Sequence, residues 1–196
     1  MNIVDRVKRI LMSPTTEWPV IAAETTPTQT LITGYVLPLA GVAAIAGFIG
    51  RSIVGTTLFG TTYRASVANG LGFAVWAVIM AVVGVFLCAY IINAFAPTFG
   101  ATTSDTQALK VAAYSFTPVW VVGVLQILPV LGILGILGVI YAVYLMYLGL
   151  AVLMKAPEDK VIGYTAVVIV VVIVVWFVLG AIGGMMFAGA AMGSQY

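Results

Sequence analysis

The sequence predicts an all-α, polytopic membrane protein: five transmembrane helices preceded by a short amphipathic helix on the cytoplasmic side. Three observations lead there. Hydrophobic residues make up 63% of the 196-residue chain and charged residues only 7%, against about 25% charged in an ordinary globular domain. Mean hydropathy is +1.19. No Asp, Glu, Lys, Arg or His occurs in 31–50, 67–95, 111–128, 130–154 or 161–187, and each run approaches or exceeds the about 20 residues with which a helix crosses a hydrocarbon core of roughly 30 Å.

Residues 1–29 read as a cytoplasmic leader and 30–196 as the five-helix domain. In the leader, Ile3, Val4, Val7, Ile10 and Leu11 fall within an arc of roughly 120° at helical spacing. Arg6 and Lys8 flank that arc, where their stems can snorkel, and Arg9 lies nearby. This pattern predicts a helix along the membrane surface. Ser13-Pro14 then supplies a cap and a proline suited to a first helical position, starting a second short helix that carries Glu17 and Trp18. Arg6, Lys8, Arg9 and Trp18 are thus the expected membrane-surface residues. The first long apolar run is not a secretory signal, because it outlasts the about 7 to 15 residues of a signal core.

Within the domain, Pro38 and Pro118 are expected to kink the first and third spans, since each removes an intrahelical hydrogen bond. The short link at 126–129 makes spans three and four a tight antiparallel hairpin. Residues 167–175 are an unbroken Val/Ile tract that water would favour as a strand. In lipid an open strand leaves backbone groups unpaired, so a helix is predicted. Pro157, Glu158 and Asp159 suit the start of span five, with the acids at its positive end. Of the 8 basic residues, Arg6, Lys8, Arg9, Lys110, Lys155 and Lys160 fall on one side and Arg51 and Arg64 on the other. The bias places the N-terminus in the cytoplasm and, after five crossings, the C-terminus opposite.

Polar and small residues inside the spans are the candidate functional positions. Tyr35, Tyr114 and Tyr164 enter their spans at similar depth. They read either as an aromatic belt at the headgroups or as a shared polar cluster. Asn93, Thr117 and Gln126 either bond neighbouring helices or, with the tyrosines, line a path. Gly132, Gly135 and Gly138 recur every third residue, a helix-association face that serves packing within the bundle or between copies. Gly47 and Gly50 in span one and Gly180, Gly183 and Gly184 in span five extend the same small-residue theme.

Several chemistries are excluded. The chain has no histidine, so Ser-His and Cys-His pairs, H-E-x-x-H zinc sites and imidazole-ligated haem are impossible. No carboxylate falls within a charge-free run, and no phosphate-binding glycine loop appears. No cofactor or metal is expected. A net charge of +2 without a dense basic tract gives no footprint for nucleic acid. The lone Cys88 forms no internal disulfide.

The leader with Ser13-Pro14 and Glu17-Trp18, the segment Gly34-Tyr35-Val36-Leu37-Pro38, the segment Ala113-Tyr114-Ser115-Phe116-Thr117-Pro118, and the block from Tyr144-Leu145-Met146-Tyr147 to Lys160 and Gly163-Tyr164 together resemble the Yip1 domain family, especially its short bacterial members. The resemblance implies five transmembrane helices, a cytoplasmic N-terminus and a bacterial cytoplasmic membrane. For eukaryotic relatives it implies roles in vesicle traffic through small Rab-type GTPases and other family members. Their long N-terminal region with an Asp-Leu-Tyr-Gly-Pro motif has no counterpart in this sequence, and no GTPase-binding residue is assigned. The expected function is non-enzymatic association with membrane lipids and with itself or other membrane proteins. The alternative is a conduit for small molecules or lipids.

Overall fold

The computed structural model describes residues 2–58 and 61–193, with the side chains of 58, 179 and 182–193 outside the description. The surroundings expected for Gly183 and Gly184, and the position of the tail, therefore lie outside the described residues. Among the described residues, five helices are long and apolar enough to cross a membrane: span one Thr28–Val54, span two Val67–Phe95, span three Asp105–Ile127, span four Pro129–Leu153 and span five Val161–Val178. The last continues as helix to Gly193 and contains the whole Val/Ile tract. A helix satisfies every backbone group internally, which decides against the strand propensity of valine.

Both proline expectations correspond to local breaks. In span one a π-helical turn, Ile32–Val36, precedes the α-helical stretch Leu37–Phe48, with Pro38 in its first turn. In span three the helix Asp105–Ser115 stops at Phe116 and resumes as Thr117–Gly123, with Pro118 in its first turn. Spans three and four meet through two 3-10 turns, Val124–Ile127 and Pro129–Leu134, so the α-helical part of span four starts only at Gly135. A feature not anticipated is a small antiparallel hairpin between spans one and two. Its strands β1 (Thr56–Leu58) and β2 (Thr61–Tyr63) pair Thr56 with Tyr63 and Leu58 with Thr61.

The leader forms two helices, α1 (Ile3–Met12) and α2 (Pro14–Ala23). The Asn2 side chain caps α1 by accepting from Val4 N at 3.0 Å. Ser13 occupies the N-cap position of α2 with Pro14 next, but its hydroxyl makes no cap bond. Instead its carbonyl accepts from Thr16 Oγ1 at 3.0 Å and from the amides of Thr16 and Glu17.

The leader packs against the bundle. α2 packs along span four and α1 reaches span three. Ile10, Trp18 and Ile21 are fully buried within the main hydrophobic cluster. The Tyr141 hydroxyl of span four donates to the Leu11 carbonyl at 2.7 Å. At Gly149 an added Cβ would stand 2.9 Å from Trp18 Cη2, so the missing side chain on span four is what admits the indole. Of the apolar arc read from the sequence, Ile10 lies in the cluster and Ile3, Val7 and Leu11 pack against it, whereas Val4 is 66% exposed.

Candidate functional site

Two of the four leader residues expected at the surface are in the interior. Arg6 is 0% exposed and Trp18 is 0% exposed, a correction whose physical reason is charge pairing for the first and a glycine-made niche for the second. Lys8 is exposed. Arg9 keeps its side chain half exposed, with Nε 3.2 Å from Glu17 Oε1.

Charge pairing centres on Arg6. Its two terminal nitrogens donate to the carboxylates of Glu17 and Glu24. Opposite them stands Lys110, 1% exposed, whose ammonium donates to the carbonyls of Ile21, at 3.0 Å, and Glu24. Gln107 Nε2 donates to the Ala22 carbonyl at 3.2 Å. The last carbonyls of a helix lack intrahelical donors and carry the negative end of its dipole. Lys110 and Gln107 of span three therefore cap the C-terminus of α2 and fix the leader to the bundle. Glu17, Glu24, Gln107 and Lys110 were not singled out in the sequence as site residues. The signal was there: folding the chain at Ser13-Pro14 sets Arg6 and Arg9 against Glu17.

An aromatic cluster adjoins the charges. The Tyr114 ring receives Arg6 Cζ at 5.5 Å from its centroid, the edge of Trp18 at 6.3 Å and Tyr35 at 4.7 Å. Pro118 has no N–H, so the Tyr114 carbonyl four residues earlier loses its helical donor. Thr117 Oγ1 fills that gap at 2.7 Å. Its one proton being spent there, Thr117 must accept in its 2.7 Å contact with the Tyr35 hydroxyl. Tyr35, Tyr114 and Thr117 thus form a relay between spans one and three.

The other predicted positions lie elsewhere. Tyr164 donates to the Ile92 carbonyl and stacks on Phe99 with centroids 5.1 Å apart, stapling span five to the end of span two. Asn93 bridges the turn into span three, donating to Asp105 Oδ1 at 2.6 Å and accepting from Ser104 N at 2.8 Å. Gln126 sits at the hairpin-side end, where its Oε1 would be 3.4 Å from a Cβ added at Gly47. Among the glycines, Gly138 presses on Pro118, whose carbonyl would be 3.0 Å from an added Cβ, whereas Gly132 and Gly135 have nothing within 4 Å.

Beside the ionic cluster opens a cleft of ≈ 630 Å³ between the leader and the start of span one, lined by Arg6, Glu24, Thr25, Thr26, Thr30, Gly34, Tyr35 and Tyr114 among others. Among the described residues no group of three His, Cys, Asp or Glu side chains comes together. The arrangement offers binding groups of both charges.

The family model for the Yip1 domain matches residues 8–179. The chain belongs to the Yip1 domain family. The Yip1 domain match takes in Glu17, Glu24, Tyr35, Lys110, Tyr114 and Thr117, while Arg6 precedes it. Comparison with curated proteins and with solved structures found no match.

The relay yields a direct expectation for this Yip1 domain. Thr117→Val keeps side-chain shape but strips the Tyr114 carbonyl and the Tyr35 hydroxyl of their shared partner, and each orphaned buried group costs about 1 to 3 kcal/mol. Thermal unfolding in detergent should shift down clearly for Thr117→Val and less for Tyr35→Phe, which preserves the Thr117–Tyr114 bond. Equal melting of Thr117→Val and the parent protein would remove the relay from the account of stability.

Proposed function

We propose that this Yip1 domain protein is a non-enzymatic membrane organiser that acts by association with itself or with other membrane proteins. One observation carries the reading: the outward face of span four. Ile133, Ile136, Leu137 and Ile140 are 72%, 60%, 61% and 61% exposed, and beside them Gly132 and Gly135 have open space where side chains would be. Close helix approach at such positions gains van der Waals contact that lipid chains supply less well. Gly138 is already used inside the bundle, so the association face shortens to Gly132 and Gly135. A conduit would require polar groups in a line, and Asn93, Gln126 and the Tyr35–Thr117 pair are dispersed over different contacts. No residue is assigned to a small GTPase.

The leader side is proposed to face the cytoplasm of a bacterial inner membrane, with the far end of span five on the opposite side. Lys8, Arg9, Lys155 and Lys160 cluster near the leader-side ends, while Arg51 and Arg64 flank the β-hairpin, which supports that orientation.

Association is tested by cysteine crosslinking in native membranes. Ile136→Cys in a Cys88→Ala background should give a crosslinked species, and adding Gly135→Leu should remove most of it. A strictly monomeric pattern for Ile136→Cys, or a yield indifferent to Gly135→Leu, would count against this face.

A further inference from the structure

The cleft beside the leader has a composition that the association reading does not use. Its ≈ 630 Å³ are bounded by a cation, a carboxylate, three hydroxyls and an aromatic face, from Arg6, Glu24, Thr25, Thr26, Thr30 and Tyr114. Arg6 spends its two terminal nitrogens on Glu17 and Glu24, while its Nε is buried with no acceptor. Glu24 meets Arg6 through Oε1 and keeps its side chain 34% exposed, leaving carboxylate surface toward the cleft. The two ionised side chains that line the cleft, Arg6 and Glu24, carry opposite charges. A singly charged ligand therefore gains at one wall and loses at the other, whereas a ligand carrying both signs gains at each. The cleft also lies where span one begins, at Thr28, with the apolar Ile3 and Leu31 on its border. That is the depth at which a lipid headgroup meets its acyl chains.

We propose that this cleft binds a zwitterionic phosphoethanolamine-type group, supplied as a lipid headgroup. The phosphate accepts from Arg6 Nε and the threonine hydroxyls, as guanidinium donors favour phosphate oxygens. The ammonium pairs with the part-exposed Glu24 carboxylate. This site stands independently of association through span four.

Gly34 provides the decisive variant. It lines the cleft, and a Cβ built there meets nothing within 4 Å, so Gly34→Phe is expected to occupy the cleft. Thr30→Phe, on an exposed position of the same wall, is the second filler if the first melts abnormally. Native mass spectrometry of the detergent-purified full chain, titrated with phosphatidylethanolamine, phosphatidylglycerol and soluble glycerophosphoethanolamine, reads the outcome. Phosphatidylethanolamine should bind about tenfold or more tightly than phosphatidylglycerol, a difference of about 1.4 kcal/mol. The preference should be lost in Glu24→Gln, and binding should be lost in a filler variant whose melting is unchanged. If the soluble compound binds as tightly as the lipid, the phosphoethanolamine chemistry holds and the acyl chains are excluded as its source. Equal retention of both lipids by the parent protein, or undiminished binding in both filler variants, overturns the site. Crosslinking through Ile136→Cys is unaffected by either result, so the two proposals fail separately.

Discussion

Arg6→Met is expected to detach the leader from the bundle and to destabilise the protein by about 3 to 5 kcal/mol, the usual cost of removing one partner from a buried ion pair. The cost arises less from the lost attraction than from what is left behind. Glu17, with its side chain 5% exposed, would keep a carboxylate in the interior with only the partly exposed Arg9 beside it. Glu24 is a third exposed and contributes the smaller share. Two measurements check this: thermal unfolding in detergent, and amide exchange over residues 3–23, which should lose protection before the spans do. Neutralising the acids restores the balance, so Arg6→Met with Glu17→Gln and Glu24→Gln should recover much of the stability. If the triple variant is no better than Arg6→Met, the pairing is not what holds the leader down.

Trp18→Ala carries the second large effect. Removing a buried aromatic side chain costs about 3 to 5 kcal/mol when the cavity cannot collapse, and here the walls are rigid helices of spans three and four. Gly149→Leu alone is also expected to destabilise, because its Cβ would sit 2.9 Å from the indole and overpack the site. Combined, the two substitutions should relieve each other, with the introduced isobutyl group occupying space that the indole vacates. Melting temperatures of the two single variants and the double variant form a cycle whose coupling energy should be clearly favourable. Additive losses would mean that the indole and Gly149 do not share one niche.

The spans were legible because lipid leaves a hydrophobic stretch one choice of backbone. That constraint fixed the Val/Ile tract of span five as helix, while the missing N–H of Pro38 and of Pro118 localised the irregular turns ahead of them. The short hairpin of β1 and β2 gave no comparable signal. Its three-residue strands are threonine-rich, and β2 is exposed along its length, so no alternation of burial marks β2 off from a loop.

The leader shows where periodicity stops being informative. An amphipathic arc specifies that Ile10 and Leu11 seek an apolar surface, but lipid and a protein groove satisfy it equally. What selects the groove is long-range: a glycine at 149, a cation at 110 and two acids beyond Ser13-Pro14. Likewise, three tyrosines at similar depth cannot say which helices face one another. Tyr35 and Tyr114 meet because spans one and three do, whereas Tyr164 follows span five to the turn after span two. Thr117 was recognisable as a polar span residue, and its specific task follows from Pro118 next to it.

Synthesis begins at the amino terminus, yet the groups that clasp the leader appear late. Lys110 follows Ile21 by 89 residues and Tyr141 follows Leu11 by 130. While the ribosome delivers the first two spans, Arg6 and the indole have no berth, and they must wait at the bilayer until span four is inserted. Docking of the leader thus has to follow the first four membrane crossings, a built-in check that they have been completed.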